Sequence, residues 1–140
     1  MYYIDTSVLV AFYYPEPMSD RIESFLRDCQ QPAISRLTEV EFHSALAKRC
    51  RMGEMTGDDA ERLSASFLSH VERGMYTLLS LTDEHFRLAC RWVALQEPAL
   101  KSLDALHLAV AATRGLTMVT ADRQLARAAE AQAVSLVMMD

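Results

Sequence analysis

The chain alternates short, uniformly apolar runs with longer segments in which apolar residues recur every three or four positions. An apolar run with no polar side to alternate with is how a strand buried on both faces reads. Tyr2–Ile4, Pro32–Ser35, Met75–Leu81 and Leu116–Thr120 fit that description, and Val134–Met138 closes the pattern. The pieces between them read as helices. Val8–Tyr14 is short and breaks at Tyr14-Pro15-Glu16-Pro17, and Ser19–Cys29 carries Ile22, Phe25 and Leu26 on one face. Arg36–Met52 ends at Gly53, and Thr56–Arg73 places Ala60, Leu63, Phe67 and Val71 at helical spacing before Gly74 stops it. These two are predicted to pair as an αα-hairpin. A helix from Thr82 or Asp83 to Gln96 turns Phe86, Ala89 and Val93 inward; Ser102–Arg114 is closed by Gly115, and Asp122–Ala131 follows the fourth strand. Strands separated by helices imply parallel βαβ units with right-handed crossovers. The expectation is an α/β fold in a single domain over residues 1–140, without repeats or linkers.

Acidic residues fall at recurrent places on this frame. Asp5 ends the first strand, and ligands of open α/β sheets bind just outside the carboxyl ends of strands. The alternative is that Asp5, Thr6 or Ser7 simply caps the next helix. Glu41 lies one turn into the helix after the second strand, with small Ser44 and Ala45 three and four positions on, which leaves room for approach. Glu39 points about 200° away on the same helix and reads as a solvated residue. Asp104 sits in a helical first turn, where anions are favoured. Its helix is nearly all apolar, however, and Lys101 is the one basic residue within its turn. Asp122 follows the fourth strand in Val119-Thr120-Ala121-Asp122 and could equally be an N-cap. Four acids at strand ends or first turns would converge in one cleft, and their coincidence weighs against four unrelated caps.

Composition narrows the classes. Hydrophobic residues make up 51% and charged ones 24%, ordinary for a globular protein. No apolar run approaches the roughly 20 residues of a membrane helix, and the N-terminus lacks the basic start of a signal peptide. Cys29, Cys50 and Cys90 are scattered, with no CxxC, and read as buried small hydrophobes in a reducing cytoplasm. The net charge of −5 does not advertise nucleic-acid binding, but without the four acids the balance is 15 acidic to 14 basic residues. Lys48, Arg49 and Arg51, and again Arg123 and Arg127, form basic clusters that are either solvated faces or phosphate contacts. Carboxylates without cysteine or histidine partners are hard oxygen ligands suited to Mg²⁺ or Mn²⁺, and crowding them raises some of their pKa values. His107, three residues from Asp104, is either a packed core histidine or an orienting partner; His43, His70 and His85 read as surface or edge residues, and Trp92 as core. A phosphoacceptor receiver domain also gathers acids on a parallel sheet. It needs an aspartate ending the middle strand and a lysine ending a late one, which Ser80-Leu81-Thr82 and Thr120-Ala121-Asp122 do not supply.

Four segments carry a family resemblance: IDTSVLV at 4–10, ISRLTEVEFHSAL at 34–46, SLDALHLAVA at 102–111 and TMVTADRQLA at 117–126. In this order and spacing the chain resembles the PIN-domain ribonucleases, specifically the VapC-type toxins of toxin–antitoxin pairs. The resemblance implies a three-layer fold with a central five-stranded parallel sheet flanked by helices. It implies an acidic site of Asp5, Glu41, Asp104 and Asp122, with Thr120 accessory and a hydroxyl from Thr6 or Ser7 beside it. The family pattern places the acid three positions after Thr38, which selects Glu41 over Glu39. The cofactor implied is Mg²⁺, with Mn²⁺ as substitute, held by those four acids. The activity implied is endonucleolytic RNA cleavage leaving a 5′-phosphate and a 3′-hydroxyl, with Lys48, Arg49 and Arg123 contacting RNA. Expected partners are the RNA substrate, a cognate antitoxin and a second copy in a homodimer, in the cytoplasm and away from membranes. An antitoxin arginine among the carboxylates would pair bidentately and displace metal, its helix docking on Tyr13-Tyr14-Pro15 or the 36–73 hairpin. A catalytically dead PIN module used for binding is the remaining reading; it would be favoured by loss of any of the four acids, and all are present.

Overall fold

The computed structural model describes residues 1–140, and its sheet holds five strands in the order β3-β2-β1-β4-β5, all parallel. The strands are β1 (Tyr2–Ile4), β2 (Ala33–Ser35), β3 (Thr77–Leu79), β4 (Thr117–Thr120) and β5 (Leu136–Met138). The helices are α1 (Thr6–Tyr13), α2 (Ser19–Asp28), α3 (Arg36–Arg51), α4 (Gly57–Glu72), α5 (Asp83–Val93), α6 (Ser102–Arg114) and α7 (Arg123–Ala131). The chain moves from β1 outward to β3, then returns to β4 on the other side of β1. The strand order therefore reverses between β1 and β4, the switch point where open α/β sheets build their sites. Receiver domains run 2-1-3-4-5, so the topology also sets that alternative aside.

Strand side chains alternate between two faces. Ile4, Ile34 and Val119 join the core beneath α1 to α4, with Val8, Leu9, Ile22, Phe42 and Phe67. Tyr3, Ala33 and Met118 face the opposite layer of α6 and α7, with Leu108, Val110, Leu125 and Ala128. This is the expected three-layer arrangement. The α3–α4 hairpin also forms. Phe42 and Phe67 pack with tilted rings, 4.5 Å between centroids, Tyr13 meets both edge-on, and His43 Nε2 bonds Ser64 Oγ at 2.8 Å. Phe42 and Phe67 are fully buried, each contributing about 1.5–3 kcal/mol. No helix is long and apolar enough to cross a membrane.

Several local expectations are corrected. The first helix starts at Thr6 and not Val8, because the Asp5 carbonyl already accepts from Val8 N and Leu9 N at 3.1 and 3.3 Å. The third strand spans only Thr77–Leu79, matching the three residues of its one neighbour, β2. The helix after it ends at Val93, and its phase differs from the predicted one. His85 is buried, its Nδ1 accepting from Thr82 N at 2.9 Å, and Ala89 packs on Ala105 and Ala109 of α6. That leaves Phe86 and Val93 51% and 41% exposed. The face that packs on α6 is therefore chosen by small residues and by the histidine cap. His85 is not a surface residue, and the three thiols are free, with Cys90 exposed and Cys29 and Cys50 half-buried.

Candidate active site

Asp5 stands at the end of β1, its backbone N–H bonded to Val119 O at 2.9 Å. It occupies the N-cap position of α1, yet its side chain does not cap that helix. One carboxylate oxygen, Oδ2, instead accepts from Ser7 Oγ at 2.6 Å and from Thr120 Oγ1 at 2.9 Å. Each hydroxyl is oriented in turn by a backbone donor: Ala121 N to Ser7 Oγ at 3.1 Å, and Asp122 N to Thr120 Oγ1 at 3.0 Å. A hydroxyl that accepts from the main chain turns its hydrogen to the carboxylate. Asp5, only 5% exposed, is thus pinned through one oxygen while Oδ1 has no protein donor. Thr120 and Ser7, expected as accessory hydroxyls, serve here as clamps on Asp5.

Asp122 follows the other course. Its Oδ1 accepts from Gln124 N and Leu125 N at 2.8 and 3.3 Å, so it is the N-cap of α7. The carboxylate still has a second oxygen, and its charge reaches Asp104 across the cleft. Asp104 lies in the first turn of α6, half-buried and in no ion pair. Burial first, then the charges of Asp5 and Asp122 and, less strongly, Glu41, push its carboxyl up to about 6. The four acids therefore share one electrostatic environment, drawn from β1, α3, α6 and the β4–α7 turn.

Glu41 reaches this cleft from α3. Its Oε1 accepts from Thr6 Oγ1 at 3.1 Å and contacts His107 Nε2. His107 is fully buried, and its Nδ1 meets the Tyr3 hydroxyl at 2.5 Å. Sequence spacing associates His107 with Asp104, one turn away; the structure gives it Glu41, 66 residues distant. Tyr3 has no polar signature within its strand, and nothing local marks it as part of this network. Glu39, by contrast, is half-buried rather than solvated and pairs with the exposed Arg36 at 3.0 Å.

A groove of about 850 Å³ opens beside the acids along α3, lined by Thr6, Ser7, Glu41, Lys48, Leu37 and Leu103 among others. Lys48 is exposed on its wall without an acidic partner, and Arg123 is exposed at the start of α7. Arg49 is already engaged. Its guanidinium bonds Glu16 at 2.5 Å, approaches Glu54 at 3.5 Å and lies 5.1 Å over the Tyr14 ring. A phosphate would have to compete with both carboxylates for it.

No three acidic, histidine or cysteine side chains stand close enough to form a preformed metal cage. Mg²⁺ takes only one or two carboxylates directly and keeps several waters, so it does not require such a cage. The donor set fits a hard cation: free carboxylate oxygens on Asp5, Asp104 and Asp122, without thiolate or free imidazole.

The PIN domain family model matches residues 2–131. Ribonuclease VapC35 of Mycobacterium tuberculosis is 32% identical over 144 aligned residues, covering 98% of this chain and 96% of that protein. Among solved structures, the chain superimposes on VapBC2 from Rickettsia felis bound to a promoter DNA fragment with a TM-score of 0.71, at 16% identity over 99% of this chain and 98% of that one. It superimposes on VapC20 of Mycobacterium tuberculosis, a sarcin-ricin loop cleaving toxin, with a TM-score of 0.72, at 17% identity over 90% and 93% of the two chains. At such identities these two likenesses establish the fold. With the family match across nearly the whole chain and the VapC relative along its full length, the acids at the β1/β4 switch point belong to a PIN-domain protein of the VapC family.

Proposed function

We propose that this protein is a metal-dependent endoribonuclease and the toxin of a toxin–antitoxin pair, cutting RNA through Asp5, Glu41, Asp104 and Asp122. The observation that carries the reading is the gathering of these four carboxylates at the switch point with no lysine or arginine paired to any of them. Buried or half-buried acids left without a cation are costly to a fold, and a divalent ion is the partner that would offset the cost. Asp5 through Oδ1 and Asp104 would hold Mg²⁺ or Mn²⁺ directly, with Asp122 and Glu41 orienting its waters. Bound there, the ion supplies a water of lowered pKa and positive charge against the phosphate. The protein's own part is placement. Ser7 and Thr120 fix Asp5, the α7 cap fixes Asp122, and the exposed Lys48 and Arg123 would contact the phosphate backbone.

The test is incubation with total cellular RNA, with Mg²⁺ or Mn²⁺ and with EDTA, followed by mapping of the ends. Discrete cuts bearing 5′-phosphates and 3′-hydroxyls are expected with metal and none with chelator. Cleavage that persists in EDTA, or leaves cyclic phosphates, would remove the proposed chemistry.

The VapBC assembly named among the structural relatives supports a protein partner for this chain as well. The inhibitor is expected to be a small protein placing an arginine or lysine among the four acids, with its apolar contacts on the α3 groove and the α3–α4 hairpin. A homodimer and a cytoplasmic site of action complete the proposal. Replacing the partner's basic residue is expected to weaken inhibition more than binding, measured by cleavage assay and by calorimetry. Equal losses in both would place the residue outside the catalytic cleft.

A further inference from the structure

We infer that His107 is a positioning residue for Glu41, held in one tautomer by Tyr3, and that this fixes which oxygen of Glu41 faces the cleft. The inference rests on the nuclease reading of the site. His107 is fully buried and its two ring nitrogens have different partners: Nε2 meets Glu41 Oε1, and Nδ1 meets Tyr3 Oη at 2.5 Å. A carboxylate oxygen only accepts, so Nε2 carries the hydrogen. In the inferred tautomer Nδ1 carries no hydrogen, so it accepts and Tyr3 donates to it. A phenol keeps its proton at neutral pH, so that donor is in place. The tyrosine oxygen completes its own pairing with Ser35 Oγ at 2.8 Å, and Ser35 N is bonded to Thr38 Oγ1 at 3.1 Å.

Donors thus run in one direction from β2 through β1 and α6 to the glutamate on α3. Oε1 takes both protein donors, His107 and Thr6, while Oε2 takes none. Glu41 is therefore oriented with a single oxygen available to the cleft. Partners that orient the groups around a metal ion are worth about 10–100-fold in affinity or activity. Simple core packing predicts a different outcome. It would be satisfied by any side chain of similar volume.

The metal-free protein gives the first readout. Imidazole ¹⁵N spectra, with the His107 signals assigned by their loss in His107→Gln, are expected to show protonated Nε2 and unprotonated Nδ1 at neutral pH. Tyr3→Phe is expected to convert this to a mixture of tautomers. On a short RNA spanning a mapped cut, His107→Leu is expected to lower kcat by about 10–100-fold with KM within about twofold. His107→Gln, which keeps a donor near the Nε2 position, recovers most of that loss. The inference is overturned by an Nδ1-protonated ring in the wild type, or by a folded His107→Leu variant as active as wild type. Should that variant not fold, the wild-type tautomer and the Tyr3→Phe spectrum decide. A wild-type protein that cuts no RNA overturns the nuclease reading instead, and leaves the spectra to judge the His107–Glu41 pairing on its own.

Discussion

Asp5→Asn and Asp104→Asn are each expected to reduce metal-dependent RNA cleavage by about a thousandfold, roughly 4 kcal/mol of transition-state stabilisation. The reason at Asp5 is specific to its clamp. Both Ser7 and Thr120 present hydroxyl hydrogens to Oδ2, so an asparagine must turn its amide oxygen to them. Its NH₂ then occupies the place of Oδ1, a donor where a cation has to bind. At Asp104 the change removes a charge and nothing else of consequence, because that carboxylate has no protein hydrogen bond to lose. Both substitutions are nearly isosteric, so the melting transition should stay cooperative. Glu39→Gln is the control, on the same helix as Glu41 but ion-paired to Arg36 and without contact to the other acids. Its activity should match wild type. Undiminished cleavage in both aspartate variants would show that the acids do not form the site.

The same Asp104→Asn substitution is expected to stabilise the metal-free protein at neutral pH. The Asp104 carboxyl lies at about 6 in the fold against an ordinary 3.8, raised by burial and by its acidic neighbours. The folded state therefore binds more protons than the unfolded one between those values. Its contribution is fully favourable below about pH 4 and is lost as pH rises through about 6. At pH 7.5 the variant is spared that loss. With allowance for the solvent that screens a half-buried group, the gain is on the order of 1 kcal/mol. It should shrink towards pH 4.5, where wild-type Asp104 holds a proton anyway. Metal acts oppositely: Mg²⁺ or Mn²⁺ at a hundredfold excess over its dissociation constant should stabilise wild type by about 2.7 kcal/mol. The variant should gain much less. Thermal melts of both proteins at pH 4.5 and 7.5, with and without metal, check this. If the variant melts lower than wild type at pH 7.5 without metal, and metal shifts both equally, then Asp104 is an ordinary first-turn residue.

What the sequence determined by itself was whatever local pattern controls. Uniformly apolar triplets such as Tyr2–Ile4 became strands because both sheet faces are covered, and the 3.6-residue period of Ala60, Leu63 and Phe67 became the inner face of α4. In a parallel sheet a residue just after a strand lies at one known edge, so Asp5 and Asp122 could be placed there before any contact was known. The tertiary structure decided what such residues then do. Asp5 and Asp122 look alike in sequence, each an aspartate between a strand and a helix. Asp122 caps its helix, whereas Asp5 does not, because Thr120 arrives from a strand 115 residues away to join Ser7 in taking its oxygen. Likewise the phase of α5 followed from Ala89 meeting Ala105 and Ala109, and His107 found Glu41 and Tyr3 rather than its helical neighbour Asp104. A hydrophobic period fixes which face of an element is buried when the apolar stripe is unambiguous. A hydrogen bond between distant elements has no period, and only the packed fold brings its two ends together.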